Sequence, residues 1–332
     1  MIFIREFVHT HEIPPELNAC QSTQMGVRMN KSAVNAKRKM SRDVICVNVA
    51  GYILVGLFAL ICVLPFYLVI IASFTDEQSM IRNGYPVLLD LKNASIEAYQ
   101  LCLKNPGSIL KAYGVTTSAT IVGTFLAVLM ATMTGYVLSR KDFPWRNKFA
   151  FFFFFTTLFN GGLVPWYLLC VRYLYLKNSP LALILPLMFS VWNMIIAKSF
   201  MSSIPASISE SAMIDGANDM KIFVSLILPL SKPLIATLGL FSALAYWNDW
   251  YNCMLFITNE DMFTLQYYLQ RMLGSAEAMR IVAEKSGMAL PSVPLAGMQM
   301  AMTVIATGPI VLLYPFVQRY FVKGLTIGAV KG

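Results

Sequence analysis

Six apolar stretches, each about 20 residues or longer, constrain this chain more than any other feature of its sequence. A helix needs about 20 apolar residues to cross the hydrocarbon core of a bilayer, and lipid offers exposed backbone amides no hydrogen-bond partner. The stretches lie at 44–72, 113–139, 149–170, 180–200, 229–257 and 297–321. We therefore predict an all-α membrane protein with six transmembrane helices.

The composition and the distribution of charge agree with a membrane protein. The chain is 57% hydrophobic and only 13% charged, whereas soluble domains carry roughly 25% charged residues. If the N-terminus is placed in the cytoplasm, 17 of the 26 Lys and Arg residues face that side. This asymmetry predicts that both termini are cytoplasmic. The net charge of +9 then reflects topology and anionic headgroups, and we exclude nucleic acid as a partner.

These assignments divide the chain into three parts. The parts are a cytoplasmic N-terminal arm at 1–43, a transmembrane domain at 44–321 that contains a long cytoplasmic segment at 201–233, and a cytoplasmic tail at 322–332. Residues 1–28 are polar and have no apolar core of the kind that a signal peptide needs. We interpret them as disordered or as preceding a true start at Met29.

Several kinds of chemistry are excluded by the residues that the chain lacks. Its six cysteines form no C-x-x-C pair, and its two histidines, His9 and His11, both lie in the N-terminal arm. We therefore expect neither a metal site nor Ser-His catalysis. The sequence also lacks a G-x-x-x-x-G-K-[ST] loop, so ATP, if it drives the protein, must be bound by a partner. We predict no cofactor and no enzymatic activity.

The cytoplasmic segment at 201–233 contains the signals of a bent pair of helices. Ser207 followed by Glu210 has the spacing of a capping box, which predicts a helix start at Ser207. That helix is predicted to run to Asp215 and to end at Gly216. Asn218 is suited to cap a second short helix, which Pro229 and Pro233 are predicted to end or kink.

The same segment resembles the coupling-loop signature of permeases in binding-protein-dependent ABC importers. That signature reads Glu-Ala-Ala, three residues, Gly, nine residues, Ile, one residue, Leu-Pro, and the spacing from Glu210 to Pro229 matches it. Ser211 and Leu226 depart from the pattern but keep a small and an aliphatic side chain. The resemblance implies that these residues couple the chain to an ATPase: Glu210, Ser211, Ala212, Asp215, Gly216, Ala217, Phe223, Leu228 and Pro229. The alternative is a capped surface turn.

Other stretches resemble one of the two permeases of carbohydrate importers, particularly the subfamily that handles oligosaccharides. They are 161–165, 246–250, 314–324 and 328–332. The resemblance covers about residues 40–332 and implies a type I ABC importer permease fold in the bacterial plasma membrane. It also implies these partners: a homologous second permease subunit, two ATP-binding subunits, an extracytoplasmic solute-binding protein, membrane lipids and a carbohydrate substrate.

A polar and aromatic cluster in the fifth apolar stretch is the candidate substrate path. Asp249 is the one acid that falls within a predicted span, so it should face protein or a wet cavity. Aromatic rings beside amides and a carboxylate suit the faces and hydroxyls of sugars. The candidates are Trp247, Asn248, Asp249, Trp250 and Tyr251, with Trp192 and Asn193 from the fourth stretch. The cluster could instead form an interfacial aromatic belt or a gate, and Trp192 and Asn193 could serve helix packing.

Three other functions compete with sugar import. A permease for a non-sugar solute would carry the same coupling signature. An ion-coupled secondary transporter is expected to show inverted repeats and paired intramembrane charges, whereas we find one intramembrane acid and no repeat. A membrane-embedded enzyme would need catalytic histidines or clusters of metal ligands, which this sequence lacks in its apolar stretches. We therefore favour the importer permease.

Overall fold

The computed structural model describes residues 42–88, 90, 92–159, 161–286 and 294–311. The described residues are almost entirely helical, and their only strand-like feature is a bridge between Thr75 and Ala94. The chain divides into two units, Met1–Val63 and Leu64–Gly332. The second unit contains both the 201–233 segment and the aromatic cluster of the fifth stretch. The predicted N-terminal arm, except Arg42 and Asp43, and the tail at 322–332 lie outside the described residues.

Thirteen helices are labelled here within the described part of the chain. The first seven are α1 (Arg42–Ser73), α2 (Glu77–Asn83), α3 (Glu97–Cys102), α4 (Pro106–Ser139), α5 (Arg146–Leu158), α6 (Leu163–Leu168) and α7 (Val191–Ser202). The others are α8 (Ala206–Ile214), α9 (Asp219–Ile222), α10 (Lys232–Trp247), α11 (Tyr251–Phe256), α12 (Leu265–Ser286) and α13 (Leu295–Val311). A π-helical turn continues α6 through Leu169–Tyr173, and another follows α9 at Phe223–Ile227.

Among the described residues, two helices are long and apolar enough to cross a membrane without interruption, at Cys46–Ser73 and Pro106–Ser139. They match the first two predicted spans. Three further helix pairs pass the same test if each pair counts as one bent span. The sixth predicted stretch is described only as far as Val311, where it forms the apolar helix α13.

The third and fourth stretches are not single straight helices, which hydropathy did not predict, whereas the bend at the start of the fifth confirms the kink predicted from Pro229 and Pro233. The third is interrupted between Leu158 and Leu163, and the fourth bends by 49° between Pro180–Leu187 and Val191–Ser202. The fifth bends by 82° between Asp219–Leu230 and Lys232–Trp247. Gly161 and Gly162 lie at the interruption of the third stretch, where Gly162 has a φ of +86°. Pro186 lies beside the bend of the fourth stretch, and Pro229 and Pro233 flank the bend of the fifth.

Helix α4 forms the centre of the packing because it lies along both α7 and α10. Its buried face consists largely of small residues, which allow close approach between helices. At Gly123 the approach is closest, since a Cβ there would lie 2.4 Å from the ring of Tyr246 on α10. The Tyr246 hydroxyl continues past α4 and donates a 2.7 Å hydrogen bond to the carbonyl of Ile184. Three neighbouring elements are thereby joined at this point.

Candidate functional site: a coupling elbow and a broken helix

Helix α8 begins one residue earlier than predicted, and the predicted capping box is wrong. Pro205 precedes the helix with a φ of −57° and no side-chain cap is formed. Ser207 lies inside the first turn, where its carbonyl accepts a 2.8 Å hydrogen bond from the hydroxyl of Ser211. Pro205 occupies the cap position and Ala206 is already the first helical residue, so Ser207 lies too far into the helix to act as its cap.

The predicted end of α8 at Gly216 is confirmed. The amide of Ala217 donates to the carbonyl of Ala212 at 2.9 Å, and the amide of Gly216 donates to that of Met213 at 3.0 Å. These two bonds form a Schellman motif, in which the residue after the cap is left-handed. Gly216 has a φ of +79°, a conformation that glycine adopts without steric cost.

The predicted cap of the second helix is also confirmed. The side-chain oxygen of Asn218 accepts a 2.8 Å hydrogen bond from the amide of Lys221. The backbone then passes from α9 through its π-helical turn to Leu230, and it turns by 82° before α10. The turn lies at Ser231, between Pro229 and Pro233, each of which lacks an amide donor. We call residues 206–230 the elbow.

One side of the elbow is buried against the helices behind it. Ile222, Phe223 and Ile227 belong to one apolar cluster with residues of α4, α7 and α10. The ring of Phe223 lies 5.2 Å from that of Tyr136 on α4, measured between centroids. Ala212, Ala217 and Leu228 are partly buried against the same cluster. Four of the predicted coupling residues therefore pack the elbow against the helices behind it and are not on its exposed side.

The other side of the elbow is exposed and partly apolar. Ile214 is 86% exposed at the end of α8, and Met213 and Met220 are also exposed. The remaining predicted coupling residues lie on the accessible surface of the elbow: Glu210, Ser211, Asp215, Gly216 and Pro229. Exposed apolar side chains that lie together can mark a surface that another protein covers, and Met213 and Ile214 are adjacent in the chain.

A second interruption divides the fifth apolar stretch within the predicted substrate cluster. Helix α10 ends at Trp247 and α11 begins at Tyr251. The Asp249 carboxylate accepts hydrogen bonds from the backbone amide of Asn252 at 3.2 Å and from its side chain at 3.0 Å. The Asp249 carbonyl accepts a 3.1 Å bond from Thr264. Asp249 therefore orders the start of α11, and we call residues 248–250 the Asp249 break.

The predicted substrate residues divide into a buried and an exposed group at this break. Trp247 is 7% exposed, and its indole donates a 3.0 Å hydrogen bond to the carbonyl of Ala306 on α13. Asn248, Trp250 and Tyr251 are exposed, and the last two rings meet edge to face at 5.8 Å. Trp247 joins helices, whereas the other three side chains face outward.

Tyr251 also lines a cavity of about 580 Å³ beside α6. The other lining residues are Gly161, Gly162, Leu163, Pro165, Trp166 and Leu169. The lining is mostly apolar and contains two aromatic rings, Trp166 and Tyr251. Tyr251 belonged to the predicted substrate cluster, whereas Trp166 came from the third stretch, and the structure brings them to one cavity.

The candidates from the fourth stretch are separated by their burial. Trp192 is exposed near the start of α7, and Asn193 is 7% exposed. The Asn193 side chain donates a 3.2 Å hydrogen bond to Ser242 on α10. Asn193 therefore contributes to the contact between two helices.

Sequence reasoning missed Arg140, which follows α4 and contacts the elbow. Its guanidinium forms ion pairs with Asp142 and with Asp219 of α9. In the sequence Arg140 appears only as one of several basic residues in a short loop. The available signal was its position directly after a long span, but a partner 79 residues away cannot be read from local spacing.

The family whose members are described as binding-protein-dependent transport system inner membrane components matches residues 123–327, which include the elbow and the Asp249 break. This chain belongs to that family. Members are permease subunits rather than enzymes, and a separate subunit hydrolyses ATP. The prediction from the coupling signature is confirmed at the level of the family, and the chain is a membrane-embedded transport component with a type I importer-like fold.

Curated relatives align over most of this permease. It is 38% identical to the polygalacturonan/rhamnogalacturonan transport system permease protein YtcP of Bacillus subtilis strain 168, over 85% of this chain and 96% of YtcP. It is 34% identical to LplC of the same organism, over 86% and 95% of the two chains. A crystal structure of a bacterial ABC transporter involved in importing the acidic polysaccharide alginate matches with a TM-score of 0.69 and 26% identity, covering 85% of this chain and 98% of that one.

Proposed function

We propose that this permease forms half of the translocation pathway of an ATP-driven importer for a carbohydrate, most specifically an oligosaccharide. The proposal places it in the bacterial plasma membrane with six spans and both termini cytoplasmic. Its partners are a homologous second permease, two ATP-binding subunits and an extracytoplasmic solute-binding protein. The relatives named for polygalacturonan and arabinooligosaccharide transport, together with the alginate importer, support the substrate class.

The exposed side of the elbow carries the coupling part of this proposal. Ile214 presents an apolar side chain that is 86% exposed at a turn fixed by the Schellman motif. The buried side of the same elbow packs on α4, α7 and α10. If a docked ATPase displaces the exposed side of the elbow, the helices packed on its buried side move with it. We assign contact with the ATPase to Glu210, Ser211, Asp215 and Ile214, and anchoring to Phe223 and Leu228.

The exposed residues around the Asp249 break carry the substrate part. Trp250, Tyr251 and Asn248 present two rings and an amide, and Trp166 adds a third ring across the cavity beside α6. Ring faces stack on the apolar faces of sugars, and amides satisfy hydroxyls. Asp249 shapes this surface by ordering α11. Because Trp247 and Asn193 are occupied by packing and hydrogen bonds, we propose that they support the path without touching the sugar.

Site-directed cross-linking tests the coupling proposal. The six native cysteines are replaced, a single cysteine is introduced as Ser211→Cys, and the assembled complex is labelled with a thiol-specific photo-cross-linker. We expect a product that joins the permease to its ATPase subunit. The matched control is Lys104→Cys, which is exposed in the loop between the first two spans and should give no such product. Equal yields from both sites, or none from Ser211→Cys in a transport-competent complex, contradict the proposal.

A further inference from the structure

Arg140 lies in a surface loop, but its side chain is largely buried and contacts three other side chains. It is the first residue after α4, and its side chain is only 18% exposed, whereas the partner carboxylates of Asp142 and Asp219 are 61% and 68% exposed. The guanidinium donates to Asp142 through Nε at 2.9 Å and through a second, shorter contact, and to Asp219 through Nη1. The carbon of the guanidinium also lies 5.9 Å from the centroid of the Tyr136 ring.

Two contacts, one ionic and one aromatic, join the end of α4 to α9. Tyr136 and Arg140 lie four residues apart at the end of α4, and Asp219 and Phe223 lie four residues apart at the start of the second elbow helix. Phe223 keeps helical dihedrals and therefore shares one face with Asp219. Arg140 follows the helix with extended dihedrals, and its guanidinium nevertheless lies beside the Tyr136 ring. Arg140 pairs with Asp219, and Tyr136 packs on Phe223 at 5.2 Å between ring centroids. Two adjacent contacts fix both the position of α9 against α4 and its rotation, which a single contact cannot do.

The electrostatics favour a persistent clamp. The hydrogen bonds from Arg140 hold the pKa of Asp142 below its ordinary value, and the same bonds raise the pKa of Arg140. Both groups therefore stay charged throughout the physiological pH range. Asp142 occupies one edge of the guanidinium and leaves the other directed at Asp219. The planar guanidinium donates several hydrogen bonds in fixed directions, which the ammonium group of lysine cannot do.

We propose that Arg140 is a positioning residue for coupling, which carries movement of the elbow to α4. Helix α4 in turn packs along α7 and α10, so a displacement at α9 reaches the centre of the bundle. This inference rests on the proposed function of the elbow. It adds a residue outside the coupling signature and gives the elbow a defined mechanical partner.

The test measures transport and ATP hydrolysis together in proteoliposomes that contain the complete importer. We expect Arg140→Gln to lower the amount of substrate transported per ATP hydrolysed by about fivefold or more, the scale of a typical coupling free energy. Asp219→Asn should have the same effect. The matched control is Lys141→Gln, which removes the neighbouring exposed positive charge and should leave this ratio unchanged. An unchanged ratio in Arg140→Gln overturns the proposal.

If Arg140→Gln fails to assemble, the double variant Arg140→Asp with Asp219→Arg, which exchanges the two charges, provides a second test. The new arginine faces Asp142 and the new aspartate, so we expect coupling to return; failure of the exchange to restore the ratio overturns the proposal. The Ser211→Cys cross-link, made in the cysteine-free background with Arg140 intact, separates this inference from the proposed function. Its absence refutes the docking of the elbow, whereas its presence with normal coupling in Arg140→Gln refutes only the role of Arg140.

Discussion

The two breaks in the helix that carries the fifth apolar stretch are held in different ways. At Ser231 the chain turns by 82°, and the surrounding contacts are mainly the apolar cluster beneath the elbow. The Ser231 hydroxyl is buried there without a hydrogen-bond partner among the described residues, and the hydrogen bonds at this residue come from its backbone, whose amide donates to the carbonyl of Ile227 at 2.9 Å. At the Asp249 break, by contrast, the carboxylate, the carbonyl of Asp249 and the indole of Trp247 are all hydrogen-bonded.

The difference teaches what each break is suited to do. Apolar packing is largely non-directional, and the ion pair between Arg140 and Asp219 ties the elbow to α4, so the elbow can shift only together with that helix. Hydrogen bonds depend on distance and angle, so a segment held by several of them keeps one shape. We infer that the elbow is built to move with its partner, whereas the Asp249 break is built to present a fixed surface.

Among the variants that test this comparison, Gly216→Pro should lower uptake most, because it alters the backbone of the elbow. Proline is confined to a φ near −65°, whereas Gly216 has a φ of +79°. We expect uptake to fall at least about tenfold, within the range of coupling free energies, while membrane insertion stays normal. Uptake of labelled substrate and the amount of protein in the membrane fraction measure the two effects.

The matched control for this variant is Gly216→Asn. Asparagine tolerates the left-handed conformation better than other residues with a side chain, and a Cβ at this position meets nothing within 4 Å. Uptake should remain near normal. Normal uptake by Gly216→Pro would show that the elbow does not need its turn, and the contrast between the two breaks would lose its functional meaning.

Asp249→Ala should have an intermediate effect, through loss of shape at the fixed break. The substitution leaves the amide of Asn252 without its side-chain acceptor, which costs about 1 kcal/mol for a helix cap. We expect a lower unfolding temperature and a several-fold loss of uptake. Asp249→Asn keeps an acceptor oxygen and should restore most of both. If Asp249→Asn is stable but as inactive as Asp249→Ala, the charge itself acts on the substrate, and the break is more than a scaffold.

Tyr251→Ala should have the smallest effect, because it removes one ring from a surface that keeps its backbone. A single aromatic contact is worth about 1 kcal/mol, so we expect the oligosaccharide concentration for half-maximal uptake to rise a few-fold with little change in the maximal rate. Tyr251→Phe keeps the ring and serves as the control. A lower maximal rate with an unchanged half-saturating concentration would place Tyr251 in gating rather than in substrate contact.

The sequence predicted the local features of the elbow better than the course of the spans. Gly216 and Asn218 act through backbone groups within five residues of themselves, so spacing alone was sufficient to find them. Ser207 failed as a cap because Pro205 occupies the cap position and the helix already begins at Ala206. Hydropathy could not report the bends, since a bent apolar segment has the same composition as a straight one.

Contacts between distant parts of the chain were beyond sequence reasoning for a different reason. The burial of Trp247 depends on the carbonyl of Ala306, and the role of Arg140 depends on Asp219. The cavity that joins Trp166 to Tyr251 depends on where α6 is placed. None of these pairs has a fixed separation that a motif could encode. The residue types of the substrate cluster suggested sugar contact, but only the structure divides them into supporting and presenting residues.

The two prolines that flank Ser231 have a consequence for how the importer is put together. Because Pro229 and Pro233 lack amide hydrogens, neither can complete a regular helical ladder, and the chain itself favours a turn between them. If the ATPase docks on the elbow as proposed, it meets a preorganised surface and need not fold it. Association then loses little conformational entropy at this contact, so the binding free energy remains available to stabilise the assembled complex.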